Sequence, residues 1–187
     1  SDLVGKIANL ASRSMQMLNQ KLNRKELGAI PAAARALLAG IQAQAGAIAE
    51  YYETRQFARA VREICNQADE VNRYFDEQKP WVTLKTDAEA TAGVLTATLN
   101  AVRLLTLYLK PVLPSYAAKI ERMLQIAPLR WSDAQSLLEH HKVGEFERLI
   151  ERVDPEKVTM MIEFSKDEKN ATAQAAGPLV EEPLMPE

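Results

Sequence analysis

Two stretches of the sequence place side chains where they could contact a flat or charged ligand. Pro80 ends a run of helix-forming residues, and Trp81 follows it directly. Because proline disfavours helical backbone in the residue before it, we expect Trp81 to lie just beyond a helix end, either covering an edge of the core or presented to a partner. Asn9 and Arg13 are four residues apart. In a helix they share one face, where an amide and a guanidinium can act together on a base edge or a phosphate.

Acidic side chains occur close to these positions in the sequence. Asp69, Asn72 and Asp76 recur at spacings of three and four, and Asp76 lies about one helical turn before Trp81. A ligand stacked on the indole would meet this carboxylate, which would reject some ligands rather than attract them. The alternative for all these polar positions is an ordinary solvated helix face, whose ion pairs each contribute about 0.2–0.5 kcal/mol.

The composition argues against several other functions. A chain of 187 residues with 47% hydrophobic content can bury one sizeable core. It has no run of 18 apolar residues and its first residues lack the features of a signal peptide, so we expect no membrane span and no secretion. A net charge of −2 disfavours a DNA partner bound by phosphate neutralisation, so any RNA contact must be local. A single cysteine, Cys65, excludes an internal disulfide and fits a reducing cytoplasm.

The sequence contains no recognisable catalytic or metal-binding constellation. A glycine-rich phosphate loop, HExxH and GxSxG are all absent from it. His140 and His141 are adjacent, so in a helix they would point about 100° apart and could not face one metal. Cys65 lies beside an apolar stripe and is interpreted as a buried structural thiol. We therefore expect no catalytic residue, metal or cofactor in this chain.

The apolar periodicity predicts an all-α fold: a helix bundle of about five main helices with a short C-terminal helix and an extended tail. The predicted helices cover about 2–23, 31–52, 57–79, 86–109 and 115–124, with a short piece after Ser132 and a last helix over 155–168. Thr86 and Glu89 have capping-box spacing at the start of the fourth helix. We expect a domain over 1–169 and a linker or docking tail over 170–187, which has three prolines and no positive charge.

Five separated segments carry a resemblance to a known family. They are NLASR (9–13), RYFDEQKPW (73–81), LYLKPVLP (107–114), Trp131 and HKV (141–143). In this order they resemble the anticodon-binding domain of bacterial methionyl-tRNA synthetases, collinearly from about Val4 to Lys169. Residues 24–47 match poorly.

The resemblance implies an α-helix bundle that follows a class I catalytic domain and recognises the CAU anticodon of methionine tRNAs. It implies anticodon contacts by Asn9, Arg13, Pro80 and Trp81, with the indole stacked on a base. It further implies that Asp69 and Asp76 help to exclude wrong anticodons and that Arg152, just before the last helix, contributes to the same site.

The resemblance also implies a cytoplasmic parent enzyme that attaches methionine to tRNA using ATP. Its ATP and Mg²⁺, and Zn²⁺ where a zinc knuckle is present, would be bound in a catalytic half whose HIGH and KMSKS signatures are absent here. The chain starts at Ser1 without methionine, so we expect an excised fragment. Because the catalytic signatures are absent from it, we expect this fragment to be inactive alone. Its partners would be the anticodon loop of tRNA(Met) and its own catalytic domain.

Two alternatives remain open at this point. The chain could be a helical protein-interaction module in which Trp81 covers a core edge. It could instead be the anticodon domain of another class I synthetase, although the combination of DEQKPW with NLASR argues for methionine.

Overall fold

The computed structural model describes residues 2–149, which form a helix bundle. The helices are α1 (Asp2–Gln16), α2 (Ala32–Ala43), α3 (Ala45–Glu53), α4 (Phe57–Gln78), α5 (Pro80–Thr83), α6 (Ala88–Leu109) and α7 (Pro114–Met123), with a 3₁₀ helix at Trp131–Gln135. The predicted all-α fold is confirmed. The predicted helix over 155–168, the tail over 170–187 and Arg152 lie outside the described residues, and the domain boundary after 169 stays a prediction.

Helix α6 is the centre of the bundle. Its residues from Thr91 to Leu109 are all buried, and it is packed by α1, α2, α4, α5 and α7. A helix that is buried on every side must satisfy its polar side chains internally. The Asn100 amide donates to the Leu138 carbonyl at 2.8 Å and accepts the Leu138 N–H at 2.7 Å. Arg103 donates to the Ser136 carbonyl at 2.9 Å. These bonds attach the segment after the 3₁₀ helix to the core.

Helix α6 is also long and apolar enough to cross a membrane by length and composition alone. All residues of that apolar window are buried within the bundle. Its hydrophobicity is therefore explained by its central position in the core.

Helices α1 and α4 run side by side in the same direction. The Lys6 Nζ atom lies 2.6 Å from Asp69 Oδ1, and the Arg13 Cζ atom lies 4.8 Å from the centre of the Phe75 ring. The two contacts are seven residues apart on α1 and six residues apart on α4, and the residue numbers increase in the same direction along both helices. The two helices are therefore parallel. This register places Asn9 near the level of Asn72 on the neighbouring helix.

Two predicted helices are less regular than their apolar periods indicate. The first was expected to reach residue 23, but α1 ends at Gln16 and continues as a π-helical turn, Met17–Lys21, in which the Leu22 N–H donates to the Met17 carbonyl at 2.9 Å. The second is divided at Gln44, whose N–H donates to the Ile41 carbonyl three residues back at 3.1 Å. Apolar spacing does not distinguish these neighbouring hydrogen-bond registers.

The predicted capping box of the fourth helix is wrong by one residue. Asp87, not Thr86, is the N-cap: its backbone is extended and its Oδ1 accepts the Ala90 N–H at 2.9 Å. Glu89 is therefore one position too early for the box, and its carboxylate pairs with Arg24 at 3.0 Å.

The prediction of a buried Cys65 is also wrong, because this residue is partly exposed on α4.

Candidate functional site

The corner between α4 and α5 presents Trp81. Lys79 takes a left-handed conformation, with φ 45°, and its N–H donates to the Phe75 carbonyl at 3.2 Å, which ends α4. Pro80 then occupies the first position of α5, where its missing N–H costs no helical hydrogen bond. Trp81 follows the end of α4 as predicted, but it lies within the four-residue α5 rather than in a loop.

The Trp81 ring is held in place on one side and open to solvent on the other. Its ring centre lies 5.9 Å from that of Phe75, at an interplanar angle of 48°, and Phe75 itself is fully buried. Trp81 is 41% exposed, one of the few large apolar residues of the described chain with so much free surface. The indole is therefore anchored by a core residue and still accessible to a ligand.

Arg13 lies against both of these rings. Its Cζ atom is 4.8 Å from the Phe75 ring centre and 5.5 Å from the Trp81 ring centre, which are cation–π distances. The sequence analysis assigned the Arg13 guanidinium only a ligand contact, so the contact with the two rings adds a positioning role. A base cannot enter the 5.5 Å gap, because stacking on both sides requires about 7 Å, twice a ~3.5 Å contact. A base must use the exposed part of the indole or displace Arg13.

The remaining predicted site residues differ in how they are held. Asn9 is exposed one turn before Arg13 on α1. The Asp69 carboxylate contacts Lys6 through both oxygens, at 2.6 and 2.8 Å, so it already has a partner that links α1 to α4. Asp76 is exposed, and within residues 2–149 its carboxylate takes part in no ion pair. Of the two carboxylates, Asp76 is the one available to a ligand.

A pocket beside Trp81 includes residues that the sequence analysis missed. It has a volume of about 260 Å³ and is lined by Arg13, Gln16, Met17, Gln20, Lys21 and Trp81. The signal was available, because residues 9, 13, 16 and 20 follow one another at spacings of four, three and four on one helix face. Extending the polar face of Asn9 and Arg13 by about two more turns would have identified both glutamines.

The basic residues at the start of α4 are separate from this site. Arg59 lies with its Cζ atom 4.5 Å from the Tyr51 ring centre. It precedes Phe75 by sixteen residues, a distance of about 24 Å along the helix. Arg55 lies in the turn before α4, and Arg62 lies in the second turn of this helix. The structure therefore does not bring this basic strip to Trp81.

Two of the matched sequence motifs have structural roles. In LYLKPVLP, the Lys110 ammonium donates to Glu121 at 2.6 Å and to the Leu129 carbonyl at 2.9 Å. In HKV, the His141 carbonyl accepts a hydrogen bond from the Leu27 N–H at 2.9 Å. The Val143 N–H donates to the backbone carbonyl of Lys25, also at 2.9 Å. These motifs hold the segments around α6 together and do not form part of the pocket.

The second tryptophan also lies outside the pocket. Trp131 packs edge-on against Tyr52, with ring centres 6.4 Å apart, and against Tyr108 at 5.5 Å. Within residues 2–149, no three histidine, cysteine, aspartate or glutamate side chains converge in a way that could hold a metal ion.

Comparison with known proteins identifies the family. Residues 25–169 match the family described as the anticodon binding domain of methionyl tRNA ligase. The chain belongs to this family. The matched range includes Pro80 and Trp81, whereas Asn9 and Arg13 precede it.

The anticodon-binding domain is similar to part of several longer proteins. Methionine–tRNA ligase of Bdellovibrio bacteriovorus is 43% identical over 94% of this chain and 25% of the relative. The ligase of Chromobacterium violaceum is 39% identical over 98% of this chain and 27% of the relative. The domain thus spans about a quarter of the length of the curated relatives it matches.

Solved structures of the same family share the fold. The Mycobacterium tuberculosis methionyl-tRNA synthetase in complex with methionyl-adenylate superposes with a TM-score of 0.74 at 26% identity, covering 81% of this chain and 32% of that protein. Its free-state structure has the same TM-score and identity and covers 83% of this chain.

Proposed function

We propose that this domain recognises the CAU anticodon of tRNA(Met), with one unpaired base stacked on Trp81 and with Asn9 and Arg13 donating hydrogen bonds to bases or phosphates. The single observation that carries the proposal is the half-open indole, which contacts Phe75 and Arg13 while Trp81 stays 41% exposed. A preorganised aromatic surface is the feature that binding of single-stranded RNA requires.

The energies are sufficient for a small site. Stacking of one base on an aromatic side chain contributes about 1–3 kcal/mol, and one good bidentate contact adds a similar amount of discrimination. Trp81, Arg13 and Asn9 can therefore select a loop sequence without a strongly basic surface. This is compatible with the net charge of −2.

The carboxylates have a different part in the proposal. Asp76, exposed one residue after Phe75, repels backbone phosphates and acceptor-rich base edges, so it disfavours anticodons that bring such groups close to it. Asp69 acts indirectly, because its pair with Lys6 fixes the position of α1 beside α4.

Arg152 and Pro80 complete the set of residues that we propose for anticodon recognition. Pro80 is buried and sets the position of the ring that follows it.

We extend the proposal to the whole protein through its relatives, which are named methionine–tRNA ligases. The parent enzyme attaches methionine to tRNA in the cytoplasm, using ATP and Mg²⁺, with Zn²⁺ where a zinc knuckle is present, in a catalytic domain that is this domain's second partner. The present chain binds no cofactor and does not activate methionine alone.

Equilibrium binding of short RNA hairpins tests the proposal. A labelled anticodon stem-loop with CAU is titrated with the domain, and stem-loops with one changed anticodon base are compared by fluorescence anisotropy. We expect the CAU stem-loop to bind about 5- to 150-fold more tightly than each variant, as expected for the loss of one 1–3 kcal/mol contact. Equal binding of all stem-loops would refute anticodon recognition.

Single substitutions in the domain test whether the stem-loop binds at the Trp81 site. Arg13→Ala should weaken CAU binding by about tenfold or more, because it removes both a donor group and the support of the indole. Arg35→Ala is the matched control, since this exposed arginine pairs with Glu139 on another part of the bundle. Asp76→Ala should bring the affinities of correct and incorrect stem-loops closer together. If no stem-loop binds at all, the protein-interaction alternative is favoured.

A further inference from the structure

The π-helical turn at the end of α1 shapes the pocket beside Trp81. Bonds from Leu22 N–H to the Met17 carbonyl and from Arg24 N–H to the Leu18 carbonyl, both 2.9 Å, widen the backbone here. The Asn19 amide donates to the Arg24 carbonyl at 3.0 Å, which holds the widened turn. The π-helical turn thus ends α1, and its residues Met17, Gln20 and Lys21 line the pocket.

The wide turn arranges polar side chains around the opening of the pocket. Gln16, Gln20 and Lys21 are exposed, whereas Met17 is partly buried between them. In the described part of the chain, neither glutamine amide makes a hydrogen bond and Lys21 takes part in no ion pair. Two amides that each offer a donor and an acceptor thus face a common space bordered by the Trp81 ring.

The geometry points to Gln16 and Gln20 as a base-reading pair: they hydrogen-bond the edge of one unpaired base that lies against Trp81, while Lys21 contacts an adjacent phosphate. This inference rests on the proposed function and adds two residues that read a base and one that contacts a phosphate. Met17 and Arg13 complete the lining of the pocket beside Trp81.

Size and chemistry favour a nucleobase over other occupants. At about 260 Å³ the pocket is smaller than the ~300–1,000 Å³ of sites for drug-sized ligands, so it accepts one planar ring system with the sugar and phosphate outside. A base edge carries both donors and acceptors and can satisfy both amides. A phenylalanine or leucine from a protein partner would leave both amides without a partner.

Paired changes in protein and RNA test the inference. The Gln16→Ala, Gln20→Ala and doubly substituted chains are titrated with the CAU stem-loop and with stem-loops carrying an abasic site at each loop position. We expect about 5- to 100-fold weaker binding of CAU by the double variant. With one particular abasic stem-loop, the unsubstituted and double-variant chains should bind equally, because the base that the glutamines read is missing. That position identifies the base.

Controls separate this inference from the proposed function. Gln135→Ala removes an exposed glutamine on the 3₁₀ helix, outside the pocket, and should bind CAU as the unsubstituted chain does. Lys21→Ala should lower the slope of log affinity against log salt by about 0.7, the value for one phosphate contact in a single strand.

The outcomes are distinct. If Arg13→Ala abolishes binding of CAU but the double glutamine variant binds within twofold of the unsubstituted chain, the glutamine inference is wrong and the anticodon proposal stands. If the double variant is equally defective with every abasic stem-loop, the glutamines read no base and the inference is also wrong. If the unsubstituted chain binds no stem-loop, both are refuted together.

Discussion

Replacement of Trp81 by alanine should reduce stability moderately and RNA binding strongly. The ring is 41% exposed, so about three-fifths of the 150–250 Å² that a tryptophan can bury is covered here, which is roughly 90–150 Å². At about 25 cal/mol per Å², the loss in free energy of unfolding is roughly 2–4 kcal/mol, an upper estimate because unfolded chains are partly compact. For a chain of this size, where 1 kcal/mol shifts the melting temperature by about 2–4 °C, the melting temperature should fall by roughly 5–15 °C.

Urea unfolding followed by circular dichroism measures this loss, and stem-loop titration at a temperature where both proteins are folded measures binding. Phe75→Ala is the matched core variant, because Phe75 has no exposed surface and its loss should cost about 3–5 kcal/mol. Trp81→Phe should retain part of both properties. A Trp81→Ala cost equal to that of Phe75→Ala, with unchanged RNA binding, would mean that the ring is a core residue and would refute our interpretation of the corner.

Three further predictions concern the elements that hold the site. Asp87→Ala should lower the free energy of unfolding by about 1 kcal/mol in urea, because the N-cap bond of α6 is lost. The exposed pair of Lys6 and Asp69 should show a coupling below about 1 kcal/mol in a double-mutant cycle. Burial raises the pKa of Tyr74 and of Tyr108 to about 12, above the unfolded value of 10.0, so stability is retained below pH 10 and lost as the pH rises towards 12. Tyrosinate absorbance and circular dichroism, recorded together between pH 9 and 13, should show that part of the ionisation of the five tyrosines is delayed above pH 10 and coincides with loss of helical signal.

The fold was predictable where a local signal has one physical outcome. Proline cannot continue a helix interior, so Lys79 and Pro80 determined the end of α4 correctly. The N-cap of α6 could not be predicted in this way. Thr86 and Asp87 are both good N-cap residues, and the sequence does not select one of them. The structure selects Asp87, whose side chain reaches a backbone N–H.

The site was predictable only in part, for a related reason. The shared face of Asn9 and Arg13 follows from helix geometry, and the same spacing extends to Gln16 and Gln20. The contact of Arg13 with Phe75 instead joins residues more than sixty positions apart. It depends on the register of α1 against α4, which packing of the whole bundle around α6 decides. Local spacing contains no information on that register.

The central claim is that an anticodon base stacks on Trp81, and the emission of this indole tests it most directly. Trp131→Phe leaves Trp81 as the single tryptophan, so its fluorescence can be followed while anisotropy independently reports binding of the stem-loop. We predict strong quenching of Trp81 at saturation with the CAU stem-loop and much weaker quenching with a stem-loop whose first anticodon base is changed. Unchanged emission with the CAU stem-loop fully bound, or equal quenching by both RNAs, would contradict the claim.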